Sequence, residues 1–144
     1  HVWSYRRNGV DEIKDLVERY FRIWDGHEQL DHLDEVLADD ITDHMAYDGQ
    51  QAGIDGHREF ITLWRMAFPD LASTIEDLII EGSRAAIRWT AGGTHLGQYH
   101  EHPPTGRAIR FQAITILHVH HDRIRDEWFM TDWAAFNHQL GKTG

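Results

Sequence analysis

Hydrophobic positions change their period partway along the chain. Between Val10 and Trp24 they fall at Val10, Ile13, Leu16, Val17, Tyr20, Phe21 and Trp24. This is the i, i+3, i+4, i+7 spacing that turns one face of a helix toward a core. Asp11 and Glu12 lie in its first turn, where the helix dipole favours negative charge, and Asp25-Gly26 closes it. A shorter helix is predicted over Leu30 to Leu37, with Leu30, Leu33, Val36 and Leu37 inward. Asp39-Asp40 ends it. Ile41 to Tyr47 then reads as a short strand carrying Asp43, His44 and Tyr47. Gly49 to Gly56 is a loop by composition. Asp55 is the expected N-cap of a third helix, His57 to Phe68, with Phe60, Ile61, Trp64 and Phe68 on one side. Pro69-Asp70 stops it.

From Ala72 onward the period shortens to that of strands. Ala72 to Glu81 and Ala85 to Thr94 flank a Gly82-Ser83 turn, and the pattern of the second strand allows an extension to Tyr99. His100 to Gly106 contains Pro103-Pro104 and is a loop. Ile109 to His120 and Ile124 to Asp132 form the closing hairpin, and a short helix follows. Helices first and strands after predict an α+β fold, with a curved, mostly antiparallel sheet and helices packed on one face. The last strand alternates. Ile124, Asp126, Trp128, Met130 and Asp132 share one face, and Arg125, Glu127, Phe129 and Thr131 the other. A carboxylate among large apolar side chains is costly unless paired or functional, which singles out Asp132. The expectation is a bowl built around the Asp132 face.

Composition narrows the class. The chain has 144 residues, 41% hydrophobic and 26% charged, which suits a single domain over 1–144 with a substantial core. Residues 1–9 read as an extension outside that domain. No apolar run approaches a membrane span, no secretory signal is visible, and the absence of Cys excludes disulfide and thiolate chemistry. A cytoplasmic location fits. A net charge of −10 argues against nucleic acid as a partner. Six Trp suggest an apolar pocket.

Asp43-His44 after Leu37-Ala38-Asp39-Asp40-Ile41, Gly56-His57-Arg58-Glu59-Phe60 and Ala67-Phe68-Pro69-Asp70-Leu71 resemble the SnoaL-like polyketide cyclases. So do Ile75-Glu76-Asp77-Leu78, Trp89-Thr90-Ala91, Pro103-Pro104-Thr105-Gly106-Arg107, and the closing Glu127-Trp128, Asp132 and Gln139-Leu140-Gly141. The similarity runs from about Val10 to Gly141. It implies the nuclear-transport-factor-2-like fold, a cystatin-like α+β barrel in which curved sheet and N-terminal helices form a cone around a pocket. It also implies ring closure of a polyketide by intramolecular aldol condensation, with neither metal nor cofactor. Asp132 matches the family's acid/base Asp, and His44 and His118 fall where members place polar pocket residues. The family's Asp-Gly in the last hairpin turn is here His121-Asp122.

The turn sets the register. The resemblance favours a three-residue loop, His120-His121-Asp122, which pairs Val119 with Arg123. His118, Ile114 and Ile116 then share the face of Trp128 and Asp132, and Arg110 lies opposite Asp132; a two-residue loop would point His118 away. The expected catalytic set is therefore Asp132, His118 and His44. Tyr47, Trp64, Trp128, Met130, Arg110, Ile114 and Ile116 are the expected substrate contacts. An apolar pocket would raise the Asp132 pKa by desolvation, and a histidine would polarise the carbonyl. The bland alternatives are an Asp132–Arg110 ion pair and a His44 bonded to Asp43 or Asp48. His118, His120 and His121 lack further ligands at metal-site spacing, and His95, His100 and His102 read as rim residues. The expected partner is a small aromatic or carbonyl-rich molecule, and the expected assembly a homodimer or homotetramer. An epoxide-hydrolase-like or isomerase activity and a non-catalytic binding domain are the competing readings.

Overall fold

Helix α1 covers Val2–Trp24 and buries Ile13, Leu16, Val17, Tyr20 and Ile23. The computed structural model describes residues 2–141, with side chains from Gly9 onward. Residues 2–9, expected to lie outside the domain, continue the helix backbone. Two contacts fix its C-terminal end. Arg65 donates to the carbonyls of Ile23 and Glu28, supplying cationic donors where helix carbonyls lack partners. Asp25 accepts from the backbone N–H and hydroxyl of Ser73, at 2.9 and 2.7 Å.

The second predicted helix is shorter than its spacing suggests. A 3-10 turn spans Leu30–Glu35, and strand β1 (Leu37–Asp43) begins at the residue where the helix was expected to end, four residues ahead of the expected Ile41–Tyr47 strand, so that His44 and Tyr47 follow the strand and are not on it. The cause is pairing: β1 lies parallel to the last strand, and the Ile124 N–H donates to the Val36 carbonyl at 2.8 Å. Sheet hydrogen bonds thus override a local helical pattern. Helix α2 runs Gly53–Ala67 and is entered through Ala52, so Asp55 sits in its first turn and does not cap it.

Strands β2 (Ala72–Glu81), β3 (Arg84–Thr94), β4 (Ala108–His120) and β5 (Arg123–Thr131) complete a five-stranded sheet ordered β1-β5-β4-β3-β2. Only the β1–β5 pairing is parallel, so the expected α+β fold with a mostly antiparallel sheet stands. Helix α3 (Trp133–Gln139) closes one end.

The inner face of β4 carries Ile109, Phe111, Ala113, Thr115 and Leu117, all buried, whereas Ile114 and Ile116 are 55% and 40% exposed. Inner residues form two apolar clusters. The first gathers α1 and β1 against Ile87, Leu117 and Ile124. The second joins Trp64 and Phe68 to Phe111, Tyr99 and Phe136. A cavity of about 350 Å³ is lined by residues of α1, α2, α3 and the inner sheet face.

The β4–β5 turn corrects the expected register. His121 and Asp122 both adopt positive φ, 49° and 60°, and His120 pairs with Arg123. This is a two-residue turn of the kind favoured in hairpins. The register then shifts between His118 and Val119, so that Val119 faces Ile124 while His118 faces Asp126. The extra residue turns Ile124 into the core. Beyond it, Ile116 pairs with Trp128 and Ile114 with Met130. His118, Ile114 and Ile116 do share a face with Trp128 and Met130, but it is the outer face.

Candidate functional site

Cross-strand pairing decides which β5 side chains reach the cavity. Leu117 and Thr115 are inward, and their partners are Glu127 and Phe129. Glu127 is therefore buried at the inner face, 7% exposed, and both it and Phe129 line the cavity. Parallel pairing sets Asp43 beside Glu127. The first turns of α2 bring in His57, 1% exposed, with its Nε2 3.6 Å from Glu127 Oε2. From α1 comes Tyr20, also buried. Four titratable groups from four elements thus meet in the fold's interior.

Their chemistry follows from burial and mutual charge. Burial pushes the Tyr20 phenol well above its ordinary value, and the charges of Glu127 and Asp43 add to that, so Tyr20 remains a neutral O–H donor. For His57 burial is the largest influence and disfavours the cation. Contact with Glu127, the Asp43 charge and the Gly53 carbonyl together outweigh it, and the net shift is upward. Asp43 is anchored: its Oδ1 accepts from the Met45 N–H at 2.9 Å and its Oδ2 from Gln50 Nε2 at 3.0 Å. Tyr20 Oη and His57 Nε2 are buried without a hydrogen-bond partner among the described residues. A buried polar group without a partner costs about 1–3 kcal/mol.

Asp43, His57 and Glu127 each present one possible ligand atom, all within 4.8 Å of one another. Tetrahedral zinc, with bonds of about 2.1 Å, spaces its ligand atoms about 3.4 Å apart. An oxygen hydrogen-bonded at about 2.8 Å spaces its partners about 4.6 Å apart. The His57–Glu127 separation of 3.6 Å lies near the shorter of these, so the spacing alone does not separate a cation from an oxygen atom.

The cavity wall is aromatic. Trp24, Phe60 and Trp64 meet edge to face at centroid distances of 5.5 to 6.4 Å. Trp89 is held by its indole N–H donating to Thr115 Oγ1 at 2.9 Å. Tyr47, Met45, Trp133 and the segment Tyr99–His102 complete the lining. His95 is not a rim residue. It is fully buried, and its Nδ1 lies 3.0 Å from Thr105 Oγ1, which ties down both ends of the loop behind Tyr99; burial lowers its pKa.

Of the expected site residues, Tyr47 and Trp64 line the cavity. The others are elsewhere. Asp132 lies just past the end of β5, exposed, and caps α3 by accepting from the Ala135 N–H at 3.0 Å. No Asp132–Arg110 pair forms among the described residues; the Arg110 backbone is instead clamped by the Gln139 side chain. His44 stacks on Trp128 at 4.1 Å and bonds Asp126, not Asp43 or Asp48, while His118 packs against the other partner of that stack, Trp128, at 4.8 Å. Met130, Ile114 and Ile116 are exposed on the same outer face. From Asp126 onward alternation divided β5 correctly into two faces, but the bulge moves Ile124 to the inner side, and the inward face was misjudged. Arg110 and Gln112, which precede Ile114 and Ile116 on one face of β4, were the available signal; Ile109, Phe111 and Ala113 mark the other face as the apolar one.

The sequence profile of SnoaL-like polyketide cyclases matches residues 14–140, and the chain belongs to that family. Among solved structures, TsrD from Streptomyces laurentii is 26% identical with a TM-score of 0.82, over 91% of this chain and 96% of that one. A candidate polyketide cyclase from Bacillus cereus is 26% identical with a TM-score of 0.78, over 90% of this chain and 80% of that one. IdmH from Streptomyces antibioticus, also a candidate polyketide cyclase, is 25% identical with a TM-score of 0.74, over 90% and 99%. No curated protein matched. No described helix is long and apolar enough to cross a membrane.

Proposed function

We propose that the chain closes a ring in a small, flat, carbonyl-rich substrate by intramolecular aldol addition, with Glu127 as base and His57 as acid. The observation that carries this reading is Glu127, buried yet lining an aromatic cavity, with His57 Nε2 3.6 Å from its carboxylate. At about 350 Å³ the cavity is near the lower end of ligand pockets, which run from about 300 to 1,000 Å³, so a substrate of two or three fused rings fits. Glu127 takes a proton from a carbon beside a carbonyl. The resulting enolate attacks a second carbonyl, and His57 protonates the alkoxide so formed. Tyr20 and the unpaired indole N–H of Trp64 offer donors to the developing oxyanions. The family membership supports cyclase chemistry; the assignment of roles to Glu127 and His57 replaces the Asp132 expectation.

A simple ketone tests the base. The full chain should accelerate deuterium uptake at C2 of 1-tetralone in D2O. Glu127→Gln should reduce that acceleration by about 10²- to 10⁴-fold, the usual contribution of a positioned acid or base. Asp132→Asn should leave it nearly unchanged. Exchange that survives loss of Glu127 would refute the role.

The outer face supports a second proposal, the homodimer. Ile79, Ala86, Ile116 and Trp128 form one row across four strands of that face, and Ile79 is 65% exposed. A second copy of this chain would cover it.

A further inference from the structure

The cavity has a second polar station away from Glu127. Phe21 and Trp24 of α1, Trp89 of β3, Phe111 of β4, and Leu71 just ahead of β2 line that part of it, and Ser73 of β2 is the one hydroxyl among them. The aromatic wall is packed edge to face, Phe21 on Trp89 at 5.1 Å and Trp89 on Phe111 at 5.5 Å. Tyr20, which feels the Glu127 charge, and Asp25, which holds Ser73, are five residues apart on the chain. Helical rise over that span is about 7.5 Å, so the two stations sit at different levels of the cavity.

The polarity of Ser73 is set by its partner. Each Asp25 carboxylate oxygen takes one Ser73 donor, Oδ2 the backbone N–H at 2.9 Å and Oδ1 the hydroxyl at 2.7 Å. A carboxylate accepts and does not donate, so the hydroxyl proton is directed at Asp25. What Ser73 offers a ligand is the lone pairs of Oγ. Among the described residues none donates to them, whereas Thr115 Oγ1, the other lining hydroxyl of the sheet, already accepts from the Trp89 indole at 2.9 Å.

An acceptor set in an aromatic wall selects a ring that carries a donor. We propose that Ser73, oriented by Asp25, recognises a phenolic hydroxyl, so that the cavity takes a phenol-bearing aromatic ketone with its hydroxyl at Ser73. The ring packs on Phe21, Trp89 and Phe111, and its O–H donates to Oγ. A methyl ether at the same position has no proton to give and leaves Oγ unpaired, which is the basis of the selection. Recognition at Ser73 does not depend on the chemistry at Glu127; only the direction of the ketone toward Glu127 rests on that reading.

The probes are 6-hydroxy-1-tetralone and its methyl ether, 6-methoxy-1-tetralone, which carry the second oxygen on the ring edge opposite the carbonyl. Binding to the full chain is measured by titration calorimetry at a pH below the phenol's own pKa. The wild-type chain should bind the hydroxy ketone about five- to tenfold more tightly than the ether, the usual effect of one hydrogen bond. Ser73→Ala should abolish that preference and still bind the ether as the wild type does, which also shows that its cavity is intact. Asp25→Asn reads the polarity itself. Its single amide oxygen must take the Ser73 N–H, so its amide N–H donates to Oγ and frees the hydroxyl proton for the cavity. The preference should then move toward the ether, whose oxygen accepts. A bond that only ties α1 to β2 would change both affinities together and leave their ratio alone. No preference in the wild type, a preference that survives Ser73→Ala, or a ratio unmoved in Asp25→Asn overturns the inference. Deuterium exchange at C2 of the same ketones separates it from the Glu127 role. Selective binding without exchange leaves Ser73 standing and removes Glu127, and exchange without selective binding does the reverse.

Discussion

Replacing Glu127 by Gln should reverse the sign of the His57-linked pH dependence of stability. In the wild-type chain the folded pKa of His57 lies above its ordinary value of 6.5, because Glu127 and Asp43 overcome the cost of burial. A group whose folded pKa is raised contributes stability that is fully present below its unfolded pKa. That contribution is lost as pH rises through the folded value. Wild-type stability should therefore fall between pH 6.5 and the raised folded pKa. In Glu127→Gln the principal counter-charge is gone, and burial, the largest single influence on His57, prevails. The folded pKa should drop below 6.5, and the His57 contribution should then favour folding as pH rises. A single proton gives at most about 1.4 kcal/mol per pH unit in either direction. For a chain of this size that is about 4 °C in Tm per unit. The assay is calorimetric or fluorescence-monitored melting from pH 5 to 8 in wild type, Glu127→Gln and His57→Gln. The last removes the titrating group, and subtracting it cancels contributions common to all three. Parallel wild-type and Glu127→Gln curves after subtraction would show that His57 and Glu127 are not coupled.

Asp132→Ala removes the cap of α3 and should cost about 1 kcal/mol in urea unfolding, whereas Asp132→Asn should cost much less. Gly97→Ala should destabilise by about 1–3 kcal/mol, since a Cβ there would lie 2.0 Å from the Met66 carbonyl oxygen. Asp70 accepts from the Thr94 N–H and hydroxyl, both at 2.7 Å, which hold its carboxyl below its ordinary 3.8. Its stabilisation is present above that value and should be lost as pH falls through the lower folded pKa, a loss absent in Asp70→Asn. Light scattering after size exclusion should give a dimer for the wild-type chain and a monomer for Ile116→Lys.

The sequence pattern located β2 to β5 and both long helices, because helices with one buried face and strands with alternating faces announce their periods; β1 was placed four residues late. Its failures share a physical origin in pairing between distant strands. Leu37 reads as helical until β5 pairs with it in parallel, and His118 reads as a pocket residue until the hairpin register places it outside. Glu127 was visible as a member of one β5 face, yet nothing local ranks that face above the one holding Trp128 and Met130. Only the partners Leu117 and Thr115 on β4 do so. His57 and Tyr20 appeared as a helix start and an apolar helix position. Their encounter with Glu127 is a tertiary event between α2, α1 and β5. Tyr47 and Trp64 were legible as cavity residues because aromatic side chains on the helical and strand faces nearest a pocket tend to line it.

The central claim is where the chemistry resides, and carbon-detected NMR of the side-chain carboxyls tests it most directly. On titration with 1-tetralone, the Glu127 carboxyl carbon and the His57 ring nitrogens should shift in a saturable way, while the Asp132 carboxyl carbon stays in place. Assignments follow from Glu127→Gln and Asp132→Asn. Saturable movement of Asp132 with Glu127 and His57 unmoved would contradict the account and return the site to the outer end of β5.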